Sequence, residues 1–571
     1  MNIVDRILNN KLWWLWLTLI VLVVVYLSSL GKYRIDLTKE KRFSLSASTK
    51  NMLKELEDDV QLDVFLTGEL SAGFKKLSLA SEELLSEFKE YGAGNIQYRF
   101  IRPGEGLSDS LRMEVYDSLV AMGVRPFNNQ VTAQQGEETS ERLIFPGAMV
   151  TYKGRSIGID LMSGKAGMDE ESSLNYSEAL LEFKFADAID KLTRKEVPVV
   201  AYAAGNGQPL NPTVRDLFDV LRNNYAFGVL DLKSGHLDPD KINALIVVKP
   251  STAFSDAEKI KIDQYVMNGG NVIWFIDKLY AELDSLYRSN SDFVAYDKNL
   301  NLDDLLFKYG VRINGDLLQD LKCAKQPMIV GQRADGQPQF SRVPFPYYPL
   351  LSSTGTHPIS KNMDDVLSIF PSSIDTVQSP GIKKTILLTT DSMSRSLSTP
   401  ALVTLESIKS EDDLRTFNKS FVPVAVLLEG KFTSLYANRL TGALRDTLAN
   451  YSTKPFAPAG LKESKQVVVS DADIVTNVVT QSDGPLAMGT QQYENYPFAN
   501  KDFLLNTVDF MVSQSGILET RSKDITLRLL DKQKIAAEKT KWQLINLLVP
   551  IIIVLLFGWI YQLLRKRQFA A

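Results

Sequence analysis

Three aspartates are the residues of this sequence best placed to bind a ligand. Asp277 follows the apolar run Asn-Val-Ile-Trp-Phe-Ile, and Asp471 and Asp473 follow the run Gln-Val-Val-Val-Ser. Both runs are typical of buried strands, and open α/β sheets bind ligands outside the carboxyl ends of their strands. Paired carboxylates at that edge could bind a cation or a sugar, although aspartates in such positions also cap helices and turns. We take these three side chains as candidate ligand-binding residues.

A glycine loop lies between a strand-like run, residues 197–203, and the helix that follows it. The loop reads Gly205-Asn206-Gly207. Dinucleotide-binding loops carry G-x-G-x-x-G, in which the third glycine lets the helix approach the strand. Here Leu210 stands at that third position, and the P-loop string G-x-x-x-x-G-K-[ST] occurs nowhere in the chain. The loop therefore predicts a turn that needs glycine backbone angles rather than a nucleotide site.

The composition argues against several other chemistries. Cys323 is the single cysteine, so the chain has no intrachain disulfide, and no G-x-S-x-G elbow is present. We interpret Cys323 as a shielded structural thiol, and His236 and His357, which lie in polar loops, as ordinary surface residues. The net charge of −4 lacks the basic field of nucleic-acid binders. We expect no catalytic residue, no cofactor, no metal and no nucleic-acid partner.

Two uncharged apolar runs near the chain ends predict membrane helices. Residues 12–30 form a run of 19 residues and residues 544–564 a run of 21. At a rise of about 1.5 Å per residue, each can cross a hydrocarbon core roughly 30 Å thick. The first run is too long for a cleaved signal peptide and lacks a cleavage site. Both termini then share one side of the membrane, although charge counting alone leaves open which side that is.

Between these runs, alternating strand and helix patterns predict an α/β fold. Residues 31–175 read as a βαβαββ order compatible with a thioredoxin-like domain that lacks C-x-x-C. Its predicted elements are strands at 60–66 and 96–101, helices at 74–91 and 108–122, and a hairpin that turns at Lys153-Gly154. In the second helix Leu111, Val115 and Leu119 form the expected apolar face.

Residues 176–530 read as a second α/β domain built on a parallel sheet. Buried strand patterns alternate with amphipathic helices, and Ser255 and Glu258 form a capping box at the start of one helix. Residues 338–358 contain five prolines, which predicts a long excursion over the surface rather than a regular element.

The chain is thereby divided into seven parts. These are a cytoplasmic N-terminus (1–11), a transmembrane helix (12–30), a membrane-proximal thioredoxin-like domain (31–175), the larger α/β domain (176–530), a juxtamembrane helix (531–543), a second transmembrane helix (544–564) and a cytoplasmic tail (565–571).

Long strings along the chain resemble one known family. "YRIDLTKEKRFSLSASTKNML", "ERLIFPGAMVTYKGRSIGIDL" and "NKDFLLNTVDF" are similar, in this order, to blocks of the GldG family, the gliding-associated auxiliary component of an ABC transporter in Bacteroidota. The resemblance implies a two-pass inner-membrane protein with a large periplasmic domain. It also implies a glutamine-amidotransferase-like second domain without the nucleophile, and the loop after "ALIVVK" indeed has no cysteine.

The resemblance also implies partners, namely a separate ABC ATPase and a multi-span permease, with links to gliding motility and secretion. Our first hypothesis is a non-catalytic subunit of such a complex that contacts the permease and an envelope partner or ligand. One alternative is a structural envelope scaffold without a transport cycle, and another is a hydrolase that uses Asp277, Asp471 or Asp473. Homodimerisation is left open.

Overall fold

The computed structural model describes most of the chain. The described residues are 18–23, 25–26, 44–131, 140–165, 167–282, 286, 292–332, 337–355, 357–405, 408, 410–451, 454–491, 496–513, 515–522 and 532–569. The chain forms two compact units, Met1–Asp524 and Ile525–Ala571, which are treated separately below.

The described helices alternate with strands along the first unit, and one long helix forms the second. The helices are α1 (Ala47–Lys54), α2 (Ala72–Tyr91), α3 (Asp109–Ala121), α4 (Glu170–Thr193), α5 (Arg215–Asn224), α6 (Asp256–Met267), α7 (Asp303–Tyr309), α8 (Glu411–Leu414), α9 (Gly442–Tyr451), α10 (Asn500–Val512) and α11 (Lys532–Phe569), with 3₁₀ turns at Pro212–Val214 and Ile517–Ser522.

The strands belong to several sheets. The first nine are β1 (Val60–Val64), β2 (Ile96–Phe100), β3 (Phe127–Val131), β4 (Ser140–Ile144), β5 (Gly147–Tyr152), β6 (Arg155–Asp160), β7 (Val199–Ala204), β8 (Ala226–Asp231) and β9 (Ala244–Val248). The next nine are β10 (Asn271–Phe275), β11 (Leu279–Tyr280), β12 (Asp292–Asp297), β13 (Val311–Ile313), β14 (Asp316–Asp320), β15 (Cys323–Gln332), β16 (Pro338–Ser353), β17 (Val366–Leu367) and β18 (Ile374–Thr376). The last seven are β19 (Ile382–Thr389), β20 (Ser394–Ser398), β21 (Ala401–Thr404), β22 (Pro423–Gly430), β23 (Ser464–Val469), β24 (Val479–Thr480) and β25 (Gly484–Pro485).

A four-stranded sheet in the order β2-β1-β5-β6 forms the first part of the chain. Strand β1 runs parallel to β2 and antiparallel to β5, and β5 and β6 form the hairpin predicted at Lys153-Gly154. Both turn residues have positive φ, +47° and +78°, as a tight hairpin turn requires. An additional hairpin, β3–β4, was not predicted. The classification of this region as thioredoxin-like stays a prediction.

Helix α3 buries less of its surface than its sequence pattern indicates. Of the predicted face, Leu119 is buried, whereas Leu111 remains 48% exposed. The helix itself was predicted correctly, but the burial of Leu111 was not. A regular apolar spacing creates an apolar face, and only the neighbouring elements decide how much of that face is covered.

The larger sheet has the strand order β15-β16-β19-β22-β23-β10-β9-β7-β8, with β17 paired to β16. The five strands from β8 to β23 run parallel to one another, whereas β22 pairs antiparallel with β23, and β19, β16 and β15 continue in antiparallel fashion. The sheet is therefore mixed, and the expectation of a parallel sheet holds for one half of it. Apolar strands that are buried on both faces read alike in either direction, so the sequence did not reveal the reversal.

Side chains of the parallel strands alternate between two hydrophobic cores. Val200, Ile246 and Ile273 point to the core beneath α5 and α10. Leu245 and Trp274 point to the opposite core, which α6 and α7 cover. This arrangement places helices on both faces and leaves the strand ends as the accessible edge of the parallel half.

The proline-rich segment forms strand β16 rather than a surface excursion, so that prediction was wrong. Phe345 and Tyr347 are 0% and 2% exposed within this 16-residue strand. Strand β16 pairs with β15 as far as Pro349 but reaches β19 only at Ser352 and Ser353. Along residues 338–349 one edge of β16 has no partner strand among the described residues. A prolyl nitrogen that faces such an edge interrupts no hydrogen-bonded ladder.

Helix α4 connects the smaller sheet to the larger one and runs through the boundary predicted at residue 175. Near its end, Lys191 Nζ lies 3.2 Å and Arg194 Nη2 lies 3.6 Å from the carboxylate of Asp509 on α10. The hydroxyl of Tyr225 donates to the same carboxylate at 2.9 Å. All these side chains are largely buried, so the ion cluster fixes α4 against the larger domain.

In the second unit, α11 contains a segment that is long and apolar enough to cross a membrane. Within the described residues, Glu538–Leu563 spans 26 residues and is exposed along its length. At about 1.5 Å per residue this segment exceeds the hydrocarbon thickness of a bilayer. The first predicted membrane run, 12–30, lies largely outside the described residues. Its described parts, 18–23 and 25–26, are helical and exposed.

Candidate functional site

A cavity of about 510 Å³ opens at the carboxyl ends of the parallel strands. It is hereafter called the carboxyl-end cavity. Its wall includes Gly207 after β7, Lys249 after β9 and Asp473 after β23. Further lining residues are Pro209, Asn211, Thr213, Ser251, Tyr280, Glu282, Lys298, Gln326, Tyr348, Leu367, Ile369, Thr476, Asn477, Val478, Gly489, Thr490 and Gln491. Open α/β sheets place their ligands at this edge.

The three candidate aspartates lie together beside this cavity. Asp277 follows β10, and Asp471 and Asp473 follow β23, which is hydrogen-bonded to β10. One carboxylate oxygen of each residue lies within 4.8 Å of the others. The structure therefore brings together all three candidate residues, although of these only Asp473 lines the cavity. Their role in ligand binding stays a prediction.

A lysine that the sequence analysis did not single out lies among these carboxylates. Lys249 Nζ is 2.5 Å from Asp473 and 3.4 Å from Asp277. Lys298 directly follows β12, and its Nζ lies 3.5 Å from the carboxylate of Asp277. Because Nζ of Lys249 lies between two carboxylates, it occupies the position that a bound cation would take. Among the described residues, the ammonium groups of Lys249 and Lys298 thus compensate the negative charges of this aspartate cluster.

The protonation of the network follows from burial and from its charges. Burial raises the pKa of Asp277, but the Lys249 and Lys298 ammonium groups and the Ala472 N–H outweigh burial and hold this pKa below its usual value. Burial and the neighbouring carboxylates of Asp473 and Asp277 raise the pKa of Asp471 well above its usual value. Burial lowers the pKa of Lys249, and the two carboxylates outweigh this effect and raise it overall. Lys249 is therefore charged, and Asp471 retains a proton more readily than Asp277.

Asp471 is held by hydrogen bonds that connect the parallel strands to the β16–β17 region. Its Oδ2 accepts from the Ser368 hydroxyl at 2.5 Å and from the Ile369 N–H at 2.6 Å, and its Oδ1 accepts from the Asp473 N–H at 2.8 Å. The side chain is fully buried. These contacts resemble those of an aspartate that closes a turn, as the alternative interpretation of the sequence proposed.

The glycine loop forms part of the cavity wall. Gly205 and Gly207 have φ of +115° and +73°, values at which other residues are strained. A Cβ added to Gly207 would lie 2.0 Å from the hydroxyl of Ser251, which donates to the Gly207 carbonyl at 3.1 Å. The loop is therefore a tight turn that needs glycine backbone angles, as the sequence predicted. It packs against Ser251, in the segment that follows β9.

Several cavity residues gave a weak signal in the sequence or none. Lys249 directly follows a strand pattern, so its position at the sheet edge was readable, but its partner Asp473 is 224 residues away. Tyr348 comes from β16, whose strand was not predicted, and Gln491 comes from a segment without periodicity. Long-range pairing decides which of these residues meet.

The remaining candidates lie apart from the cavity. Cys323 begins β15, and burial together with the charge of Asp320 raises the pKa of its thiol to about 12, so it is a poor nucleophile. His236 is exposed, as expected. His357 is 8% exposed and packs edge-on against Phe510, so its assignment as a surface residue was wrong. The residues around His357 are polar, so the sequence does not reveal that α10 covers the imidazole ring.

The fold and the site define a mixed α/β protein with a polar, charge-compensated cavity at its sheet edge and a separate apolar helix. The chain belongs to the family described as ABC-type uncharacterized transport system, whose model matches residues 197–507. A second model, of a domain of unknown function, matches residues 39–151. Family membership supports an accessory role in an ABC-transporter-type system, which confirms the first hypothesis at this coarser level.

Individual relatives add little to this assignment. An uncharacterized protein of Borreliella burgdorferi is 22% identical over 320 residues, which are 55% of this chain and 57% of that protein. The chain thus spans little more than half the length of this curated relative. The mmIFT52 N-terminal domain aligns at 14% identity with a TM-score of 0.29, covering 55% of this chain and 97% of that one. A ThuA-like protein from Parabacteroides merdae aligns at 11% identity with a TM-score of 0.25, covering 59% and 93%. Both scores are too low to define a shared fold.

Proposed function

We propose that this chain is a non-catalytic, membrane-anchored accessory subunit of an ABC-transporter-type complex. The observation that carries the proposal is the family match across the larger domain. In this role the subunit contacts a multi-span permease in the membrane, while a separate ATPase chain hydrolyses ATP. The resemblance to the GldG family supports an association with gliding motility and secretion in Bacteroidota.

The membrane arrangement in this proposal has two passes. Residues 12–30 and α11 cross the inner membrane, both termini are cytoplasmic, and the unit between them occupies the periplasm. The exposed apolar surface of Glu538–Leu563 supports the second crossing. Within the first unit, the cavity would then face an envelope partner or a periplasmic ligand.

The absence of catalysis is part of the proposal, and the state of the cluster supports it. Asp277 and Asp473 are both paired with Lys249. The carboxylate oxygens of Asp471 accept hydrogen bonds from Ser368, Ile369 and Asp473. All three carboxylates thus already have partners within the fold, whereas a general base or nucleophile must direct an oxygen at its substrate.

Purification of the tagged chain from its native membranes in mild detergent, followed by mass spectrometry, tests the proposal. We expect an ABC ATPase and a multi-span permease in fixed ratio with the chain. ATPase activity of the complex should change when the chain is omitted. Recovery of envelope or secretion components without any ATPase would contradict the proposal and support the structural scaffold instead.

A further inference from the structure

Strand β8 ends the larger sheet and presents an open backbone edge. It pairs with β7 on one side, and among the described residues no strand pairs with its other side. Its residues Ala226, Gly228 and Val229 are exposed. An open strand edge offers N–H and C=O groups to a strand from another chain. The edge of β8 is therefore a candidate interaction surface.

Strand β8 lacks the features by which proteins usually block such an edge. Charged side chains, prolines and bulges discourage pairing between edges. The first five residues of β8 read Ala-Phe-Gly-Val-Leu, and its register with β7 is unbroken. The strand at the opposite end of this sheet, β15, carries Lys325 and Pro327 and has two register shifts. Of the two end strands, β8 is thus the one suited to pairing.

The ladder with β7 determines which backbone groups of β8 point outward. The N–H groups of Ala226 and Leu232 donate to carbonyl oxygens of the β7 segment at 3.0 and 2.9 Å. The direction of the backbone groups alternates along a strand, so the even-numbered residues between them also face β7. The odd-numbered residues Phe227, Val229 and Asp231 therefore direct their N–H and C=O groups to the open edge.

These three residues define one self-complementary register. If two copies of β8 pair antiparallel about a two-fold axis through Val229, the two Val229 residues exchange N–H···O=C hydrogen bonds. Phe227 of each copy then lies opposite Asp231 of the other, and the Phe227 carbonyl accepts the Asp231 N–H. All three residues pair within β8, whereas a shifted register leaves at least one of them opposite a residue outside the strand.

The side chains of β8 fit this register. The Val229 side chains, which are 48% exposed, meet across the axis. On the other face of the sheet, Gly228 lies across from Leu230 of the second copy. A Cβ added to Gly228 would have no atom within 4 Å, so the glycine leaves room for that leucine. Pairing therefore covers apolar side chains that a single copy leaves partly exposed.

The charges near the two ends of the strand are complementary. The Arg222 guanidinium lies 5.8 Å from the ring centroid of Phe227, and its side chain is 55% exposed. Arg222 also lies 3.8 Å from Asp219, at the outer limit of an ion pair. In the paired register, Asp231 of the second copy lies opposite Phe227 and on the same face of the sheet. Each copy thus brings an arginine towards an aspartate of the other, and the two-fold axis repeats the contact.

We propose that two copies of this chain associate through their β8 edges, in antiparallel register with Val229 on the two-fold axis. The two larger sheets then form one continuous sheet. The interface is isologous, because both copies contribute the same surface. The inference goes beyond the proposed accessory role and does not depend on it.

Sedimentation velocity of the full chain in detergent, with variants of Val229, tests the inference. We expect the unmodified chain to be a dimer. Val229→Glu and Val229→Lys each place two like charges at the axis, so each should weaken the dimer about tenfold or more. An equimolar mixture of the two variants should dimerise again, because opposite charges then meet. Val294→Glu is the matched control, at a 49% exposed position on β12, which has strand partners on both sides. It should leave the dimer unchanged.

Cross-linking provides a second test that does not depend on the charge variants. In the proposed register the two Val229 Cα atoms lie about 5.5 Å apart. In a Cys323→Ser background, Val229→Cys should therefore give cross-linked dimers with a short bismaleimide, and Val294→Cys should not.

A monomeric unmodified chain, dimers that persist in both charge variants, or a folded mixture that stays monomeric would overturn the inference. Circular dichroism of each variant shows whether it is folded, and if one is not, the cross-linking result decides. A monomeric chain that loses a co-purified protein on Val229→Glu would assign the edge to a strand of that protein and would equally overturn the pairing of two copies.

Discussion

Individual side chains at the cavity edge show how a cluster of carboxylates can be structural. Three aspartates lie within 4.8 Å of one another, an arrangement that would suit a divalent cation. Lys249 takes that place and is itself only 20% exposed. Its φ of +47° is unusual for a residue with a side chain, so the backbone is held in a left-handed conformation at this point. The ammonium group thus compensates the two carboxylates from the residue that directly follows β9.

Replacement of Lys249 by methionine should destabilise the first unit. The change leaves Asp277 and Asp473 without their shared counter-charge, and we expect the free energy of unfolding to fall by about 2–3 kcal/mol. Divalent cations should then stabilise the variant and leave the unmodified chain unaffected. Urea unfolding of the chain in detergent, with and without calcium, measures both effects.

Lys383→Met is the matched control, because Lys383 pairs with Glu429 but is 71% exposed. Its unfolding free energy should change by no more than about 0.5 kcal/mol. Calcium stabilisation of the unmodified chain would show that the Lys249 ammonium group does not exclude a cation.

The buried His357 predicts a dependence of stability on pH. Burial lowers its pKa from 6.5 to about 4, and the Ile359 N–H donates to its Nδ1 at 3.3 Å. Between these two pH values the unfolded chain binds more protons than the folded chain. The contribution of His357 to the free energy of unfolding is therefore complete above about pH 6.5 and decreases as the pH falls towards 4.

Comparison with His357→Gln measures this contribution. The stability advantage of the unmodified chain over the variant should shrink by about 1–2 kcal/mol between pH 7 and pH 4.5, as followed by urea unfolding. His236→Gln, which removes an exposed ring, should leave the pH profile unchanged. A difference between chain and variant that does not vary with pH would contradict the burial of a neutral imidazole.

At the scale of elements, the proline-rich strand β16 carries aromatic side chains into the core. Phe345, Tyr347 and Tyr348 pack around Phe370 with ring centroids 5.5–6.3 Å apart. The prolines limit the hydrogen bonding of one edge but leave the alternation of side chains intact, since the period of a strand does not depend on the N–H groups. Strand β16 thereby links the antiparallel half of the sheet to the cavity through Tyr348.

Truncation of a core residue in β16 tests this arrangement. Phe345→Ala should reduce the free energy of unfolding by about 3–5 kcal/mol, because it leaves a cavity in a packed core. Phe340→Ala, on the same strand but 63% exposed, should cost no more than about 0.5 kcal/mol. If both substitutions had similarly small effects, β16 would not be a core strand, and the segment would instead run over the surface as its prolines suggest.

At the scale of the whole molecule, membrane topology decides which partners the cavity can meet. The chain has one native cysteine, so a Cys323→Ser background allows labelling at single introduced sites. Lys539→Cys and Lys566→Cys lie near opposite ends of α11, separated by about 40 Å if the helix is regular. That distance exceeds the hydrocarbon core.

With a membrane-impermeant maleimide added from the periplasmic side, we expect labelling of Lys539→Cys and protection of Lys566→Cys. Permeabilised cells, in which both sites should react, provide the control for thiol reactivity. Labelling of both sites in intact spheroplasts would contradict a crossing by α11, and the reversed pattern would place the first unit in the cytoplasm.

The sequence by itself determined the features that depend on neighbouring residues. The capping box of Ser255 and Glu258, the Lys153-Gly154 hairpin and the apolar segment of α11 are all present as predicted. Each follows from contacts or periodicities within a few residues, so local rules suffice. The placement of the three aspartates at strand ends also followed, because parallel strands share one edge.

Only the tertiary structure decided the rest. The direction of β22, the burial of His357 and the inclusion of β16 in the sheet depend on partners distant in the chain. So does the Lys249–Asp473 contact, whose residues are 224 positions apart. A strand or loop has the same local pattern whatever packs against it, whereas its burial and charge environment are properties of the assembled fold. For that reason the candidate residues could be read from the sequence, but the ammonium group that compensates their charge could not.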